Sequence, residues 1–143
     1  MGKVEQVFID DMRVGMKASL TRLLGEEEVR AFARVTGDEN PAHLDADFAA
    51  ATPFGRPVVH GMLTASLISA VLGTRLPGKG AVYLSQSISF RAPVFIGEEV
   101  TAEVEITGID QRRRRVTLAT RCLSGGKVVL RGEAVVIAPA REG

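Results

Sequence analysis

The chain has 143 residues, 45% of them hydrophobic, and a formal net charge of +1. That length and apolar content suit one well-buried domain over residues 1–143 and exclude disorder, and the near-neutral balance gives no global field for nucleic acid. Cys122 is the single cysteine, which excludes an intrachain disulfide and a multi-cysteine metal site.

The N-terminus, Met1-Gly2-Lys3-Val4-Glu5-Gln6, lacks the apolar core of a signal peptide. It also has Gln6 where myristoylation needs Ser or Thr. A cytoplasmic location with no membrane partner is the expectation. Asp10-Asp11 and Gly15 mark turns, and Lys17 to Leu24 suits a short strand. Glu26, Glu27 and Glu28 follow Gly25, and acids in a first turn are favoured by the helix dipole. Val29, Phe32, Ala33 and Thr36 keep helical spacing, so one face packs inward. Gly37 suits a left-handed helix stop.

Next comes Asp38-Glu39-Asn40-Pro41-Ala42-His43. Pro41 fixes its own φ and pushes Asn40 out of helical geometry. The segment is therefore expected to be a rigid, non-helical loop with Asp38 and His43 turned to the same side. A carboxylate and an imidazole so placed can hold one water and move its protons near neutral pH. Ordinary turn chemistry would use the same residues, with Asp38 as a cap and His43 on the surface. Asp45 can cap a short helix through Ala51, and Thr52 to Pro57 reads as loop.

From Gly61 to Leu72 the only polar side chains are the hydroxyls of Thr64, Ser66 and Ser69, and no charge occurs before Arg75. A helix apolar on all sides is buried. A membrane span needs about 20 apolar residues, so this is expected to be the central core helix of a soluble domain. Gly61, Ala65, Ser69 and Leu72 fall on one face, and the first three are small enough to leave room for something thin. The free N–H groups of the first turn can stabilise a developing oxyanion. Tight packing of helix on sheet would account for the same small residues.

The rest alternates as strands do. Val82, Leu84, Gln86, Ile88 and Phe90 form one alternating set; Val100, Ala102, Val104 and Ile106 a second. Val116, Leu118, Thr120 and Cys122 form a third, and Val128, Leu130, Gly132, Ala134 and Val136 a fourth. Gly125-Gly126 suits a tight hairpin between the last two strands. The fold class is α+β, an antiparallel sheet covered by a helix.

The combined pattern resembles the (R)-specific enoyl-CoA hydratases, the hydratase-2 or MaoC-like dehydratase family. The matching residues are Thr36-Gly37-Asp38-x-Asn40-Pro41-x-His43-Leu44-Asp45, Phe48-Ala49 and Arg56-Pro57-Val58-Val59-His60-Gly61-Met62, then Leu76-Pro77-Gly78-Lys79-Gly80 and Ser89-Phe90-Arg91-x-Pro93-Val94. The resemblance implies a hot-dog fold, an antiparallel sheet wrapped around a long central helix, with two such units paired into a homodimer or a dimer of dimers. It implies that Asp38 and His43 are the catalytic pair, on the loop shaped by Asn40 and Pro41. It also implies that the Gly61 N–H holds the thioester oxygen and that Ser69 helps orient Asp38. Ala42 stands where the family often has a larger aliphatic residue.

The activity so implied is reversible addition of water to trans-2-enoyl-CoA, giving (R)-3-hydroxyacyl-CoA. Asp38 is favoured as base and His43 as proton donor, with the reverse left open. The acyl tail is expected to run down the helix face towards Leu72. An acyl-carrier-protein dehydratase would use the same residues. A hot-dog thioesterase commonly has an acid on the central helix, which Gly61 to Leu72 lacks, and a non-catalytic acyl-CoA-binding module has no need of both Asp38 and His43. The acyl-CoA is the substrate and its coenzyme A the carrier; no cofactor is expected. Arg112 to Arg115 reads as a solvated hairpin, with contact to coenzyme A phosphates as the alternative. Arg56, Lys79 and Arg91 are further phosphate candidates. Gly78-Lys79-Gly80 lacks Walker spacing. His43, His60 and an Asp could be imagined as metal ligands, but no His-x-x-x-His spacing supports this and no metal is expected. Cys122 is expected to face the core as a poor nucleophile.

Overall fold

Glycines bound the first helix. Gly25 precedes it, its N–H donating to the Glu28 carboxylate at 2.8 Å, and Gly37 ends it at φ 81°. The computed structural model describes residues 3–142, so Met1 and Gly2, part of the N-terminal reading above, and Gly143 lie outside the described residues. In chain order the elements are β1 (Lys17–Leu24), α1 (Glu26–Thr36), α2 (Pro41–Leu44), α3 (Ala46–Ala50), α4 (Gly61–Thr74), β2 (Val82–Phe90), β3 (Glu98–Asp110), β4 (Arg115–Ser124) and β5 (Lys127–Ile137). All strand pairs are antiparallel, in the order β1-β3-β4-β5-β2. The sheet wraps α4, as the α+β hot-dog expectation requires.

The expected strand phases bring Val100, Ala102, Val104, Ile106, Val116, Leu118 and Cys122 to 0% exposure. There they meet Ile68, Val71 and Leu72 of α4 in one hydrophobic cluster. Gly125 and Gly126 turn the hairpin with φ 58° and 77°, the pair of positive values a two-residue turn needs. Arg112 and Arg113 lie exposed in the turn joining β3 to β4. Burial pushes the Cys122 thiol up to about 12. No helix among the described residues is long and apolar enough to cross a membrane.

Three expectations need correction. The Asp38–His43 stretch is not wholly loop: Pro41 to Leu44 form the one-turn helix α2, capped by Asn40, whose side chain accepts from the Ala42 N–H at 3.0 Å. Proline breaks a helix from inside but suits its first position, where its missing N–H is not needed. The inward phase near the last hairpin shifts as well. A bulge between Cys122 and Leu123 leaves Val128 half-buried and turns Val129 inward at 3% exposure. Finally, α4 is not buried all round. Met62 is 57% exposed, and Ser66, Ser69 and Gly73 share its open stripe.

Candidate active site

Three segments converge on the start of α4. Val59 N–H donates to the Val94 carbonyl at 2.7 Å, and Val58 bridges to Phe95, fixing the approach to the helix against residues 93–96. Val58 N–H donates to the Ala42 carbonyl at 3.2 Å, tying the same approach to α2. His43 closes the link, its Nδ1 lying 2.6 Å from the Val58 carbonyl oxygen. A carbonyl only accepts, so Nδ1 carries the hydrogen. His43 therefore presents Nε2 for chemistry.

Asp38 follows the left-handed Gly37. Its N–H donates to Thr36 Oγ1 at 3.1 Å, and its Oδ1 accepts from the Asn40 N–H at 3.3 Å. These local bonds shape an exposed turn. One donor atom each from Asp38, His43 and His60 lies within 4.8 Å of the others. Two polar atoms bridged by one water, each at a normal hydrogen-bond length, stand about 4.5 Å apart. Asp38 and His43 thus come within 4.8 Å of each other, close enough for one water to lie between them.

Gly61 opens α4. His60 carbonyl accepts from Leu63 N–H at 3.0 Å and Thr64 N–H at 3.2 Å. Among the described residues no acceptor meets the N–H of Gly61 or Met62. Those donors carry the partial positive charge of the helix start. Gly61 and His43 line the same cavity of about 440 Å³, with Thr64, Phe90 and Arg91 on its walls. The need for glycine is steric: a Cβ on Gly61 would lie 2.7 Å from Phe90 Cε1.

The other expected site residues lie elsewhere. Ser69 lines a second, more apolar groove of about 640 Å³ between α4 and β2, with Phe32, Thr36, Met62, Tyr83 and Ile88. Among the described residues no hydrogen bond joins Ser69 to Asp38 in the single chain. Leu72 lines neither cavity and is 2% exposed in the core. Three residues on from Ser69 is a turn of roughly 300°, about 60° short of a full circle, which takes Leu72 from the open stripe into the core beside it.

The phosphate candidates can now be ranked by position. Arg91 lines the Gly61 cavity, and the Arg56 guanidinium sits 4.0 Å over the Phe95 ring near the approach to α4. Lys79 lies beyond the far end of α4, about 20 Å along the helix from Gly61. The Arg112–Arg115 turn lies at the opposite end of β4 and β5 from Leu130, which also lines the Gly61 cavity, about 23 Å along the strands.

The sequence presents His60 within a motif and as a conceivable metal ligand, and Phe90 within a motif and a strand alternation, with no role in the site for either. His60 is 2% exposed and stacks on His43, ring centroids 3.9 Å apart and planes inclined by 28°. Its neighbour Gly61 was the one signal in the chain that pointed near it. Stacked imidazoles hold their in-plane lone pairs in nearly parallel planes, so they do not converge on one ion. Nδ1 of His43 and Nε2 of His60 are each engaged by a backbone carbonyl, which turns those two nitrogens away from joint ligation.

A family model described as MaoC like domain matches residues 9–125. The chain is 54% identical over 129 residues to an (R)-specific enoyl-CoA hydratase from Aeromonas caviae, covering 90% of this chain and 96% of that one. It is 36% identical over 132 residues to a mitochondrial 3-hydroxyacyl-[acyl-carrier-protein] dehydratase from Arabidopsis thaliana, covering 90% of this chain and 78% of that one. Among solved structures, the unliganded R-hydratase PhaJ1 from Pseudomonas aeruginosa superposes with a TM-score of 0.93 at 40% identity, covering 98% of this chain and 90% of that one.

Proposed function

Because the chain belongs to the MaoC-like dehydratase family, we propose that it is an (R)-specific enoyl-CoA hydratase. It adds water reversibly to trans-2-enoyl-CoA to give (R)-3-hydroxyacyl-CoA. The observation that carries this reading is the meeting of Asp38 and His43 at water-bridging distance, with the free Gly61 amide on the cavity His43 lines. The thioester oxygen accepts from Gly61 N–H, which polarises the conjugated double bond and makes C3 electrophilic. Loss of one such donor typically costs about 2.7–4 kcal/mol of barrier.

Asp38 takes one hydrogen of the bridging water as the hydroxyl adds to C3. His43, as imidazolium, gives its Nε2 proton to C2. A proton then passes from Asp38 to His43, and the pair is reset. Net, one water is consumed and no other group is needed. Ser69 belongs to the acyl side of this reading, with Leu72 packed in the core beside it, and Arg91 and Arg56 to the coenzyme A side.

The carrier-protein reading uses the same atoms and differs only in what holds the acyl group. The higher identity to the coenzyme A enzyme favours the latter. No acid lies on α4, which argues against a thioesterase.

A homodimer or dimer of dimers in the cytoplasm completes the reading. The outer edge of β2 is unpaired, and Val82, Tyr83, Leu84 and Phe90 along it are 41–55% exposed. Asp38 is open to solvent in the single chain, and a second copy over the groove would exclude water from it. Sedimentation at micromolar concentration should give at least twice the chain mass; a monomer contradicts this part.

The test of function is crotonyl-CoA given to the purified protein. Enoyl absorbance should fall with no release of free thiol. Thiol release instead would indicate hydrolysis, and no change a binding module.

A further inference from the structure

We propose that His60 is the positioning residue of the acid–base pair, an inference that rests on the hydratase reading above. Its Nε2 lies 3.0 Å from the backbone carbonyl oxygen of Asp38, 22 residues away in the chain. The carbonyl can only accept, so Nε2 carries the hydrogen. Among the described residues the other ring nitrogen, Nδ1, is buried and has no hydrogen-bond partner.

An unpartnered buried polar atom is a standing cost to the fold. A phenyl ring would fill the same space, stack on His43 and pack against Phe32, which lies 4.8 Å from the His60 ring, without that cost. What a phenyl ring lacks is the Nε2–H. The imidazole is therefore placed for its bond to Asp38.

The remaining hydrogen bonds of the Asp38 turn are local in sequence. Asp38 N–H to Thr36 Oγ1, Asn40 N–H to Asp38 Oδ1 and Glu39 N–H to the Gly37 carbonyl lie within it. Gly37 N–H to the Ala33 carbonyl joins it to α1, and the N–H groups of Ala42 and His43 donate to Asn40 and join it to α2. They shape the turn and hang it between two helices, but none of them reaches the start of α4. Among the described residues, the His60 bond is the tie from Asp38 to a distant part of the chain. The same residue stacks on the His43 ring and is joined by a peptide bond to Gly61. One side chain thus sets the carboxylate against both the imidazole and the oxyanion donor. Displacing reacting groups by about 1 Å can lower a rate about 100-fold.

The experiment compares His60→Phe, which keeps the stack and removes the donor, with His60→Gln, which keeps an N–H of similar reach. Steady-state hydration of crotonyl-CoA and thermal unfolding are measured on both. His60→Phe should lose about 10- to 100-fold in kcat with KM within about twofold, as expected for misplaced groups. Its Tm should hold or rise, because the unpartnered Nδ1 is gone. A merely structural role would lower Tm. His60→Gln should recover at least about tenfold of the lost kcat where the loss is that large. Should His60→Phe fail to fold, the smaller His60→Leu takes its place.

A donor-less variant with kcat within about twofold of wild type overturns the proposal, as does a loss confined to KM. So does an equal loss in Phe and Gln variants accompanied by a fallen Tm. A wild-type protein without turnover overturns the hydratase reading and this inference together; an active wild type beside a fully active His60→Phe overturns this inference alone.

Discussion

The ring of Phe90 occupies the space that any side chain at Gly61 would need, three of its atoms lying 2.7, 3.0 and 3.2 Å from a Cβ built there. Phe90 is 55% exposed, so it can swing aside. Gly61→Ala should therefore fold with little loss of stability, yet lose the cavity wall beside the oxyanion donor. A fall in kcat/KM of about tenfold or more is expected, since donor geometry sets the stabilisation. Phe90→Ala should restore room, so that the double variant is no worse than Phe90→Ala alone. A double variant as poor as the product of the two singles would place the damage elsewhere.

Asp38 and His43 should act as one unit. Asp38→Asn keeps shape and loses the negative charge. His43→Asn keeps a donor where Nδ1–H meets the Val58 carbonyl and removes Nε2 alone. Each should lower kcat by about 10²- to 10⁴-fold. The double variant should lose little more than the worse single, because a shared water is misplaced by either change. Multiplicative losses in crotonyl-CoA hydration would mean that the two do not share one water.

Leu72→Ala should have two effects. The side chain is 2% exposed in the core, so its removal should cost about 2–5 kcal/mol in chemical denaturation. Residues three apart on a helix are neighbours, so the void adjoins Ser69 and extends the groove that Ser69 lines. Turnover of longer enoyl chains should rise relative to crotonyl-CoA. An unchanged chain-length profile in a folded variant would show that the tail runs another way.

Cys122 makes alkaline stability depend on burial. Its thiol is raised from 9.0 to about 12 by desolvation, so the folded state holds a proton that the unfolded chain releases earlier. The unfolded state binds fewer protons between these values, and stability falls as pH rises through that window. Below it the contribution is complete. Cys122→Ala should flatten the fall between pH 9 and 12 relative to wild type. Parallel curves for the two proteins would refute the assignment.

The sheet was legible because β3 and β4 show a two-residue alternation that only one buried face can satisfy, whereas β2 at the edge keeps Val82, Leu84 and Phe90 exposed. The ends of α1 were legible because Gly25 and Gly37 are local signals, and Asp45 announced α3 by its cap, accepting from Asp47 N–H at 2.9 Å. The features that escaped depend on partners distant in the chain. Pro41 reads equally as a breaker and as a first helical residue, so α2 was hidden. The bulge that turns Val129 inward follows from strand pairing, which no local pattern reveals. The open stripe of α4 depends on where β2 stops across the sheet. In the site, Asp38, His43 and Gly61 stood out by residue type and spacing. His60 did not, since both its ties, to the Asp38 carbonyl and the His43 ring, exist only after folding.

The segments that build the site stand outside the ladder of the sheet. Residues 36–44, 57–61 and 93–96 are joined by the Val58–Ala42, Val59–Val94 and His60–Asp38 bonds, each closing a loop of its own. Loop closure is unfavourable until the parts it joins have a surface to rest on. Refolding should therefore recover strand signal before turnover, with enzyme activity appearing as a later phase. Circular dichroism and crotonyl-CoA hydration followed after one dilution from denaturant would show the delay, and simultaneous recovery would deny it. On this ordering a nascent chain carries a finished sheet before it carries a working catalyst, and the order of assembly itself withholds chemistry from an incomplete molecule.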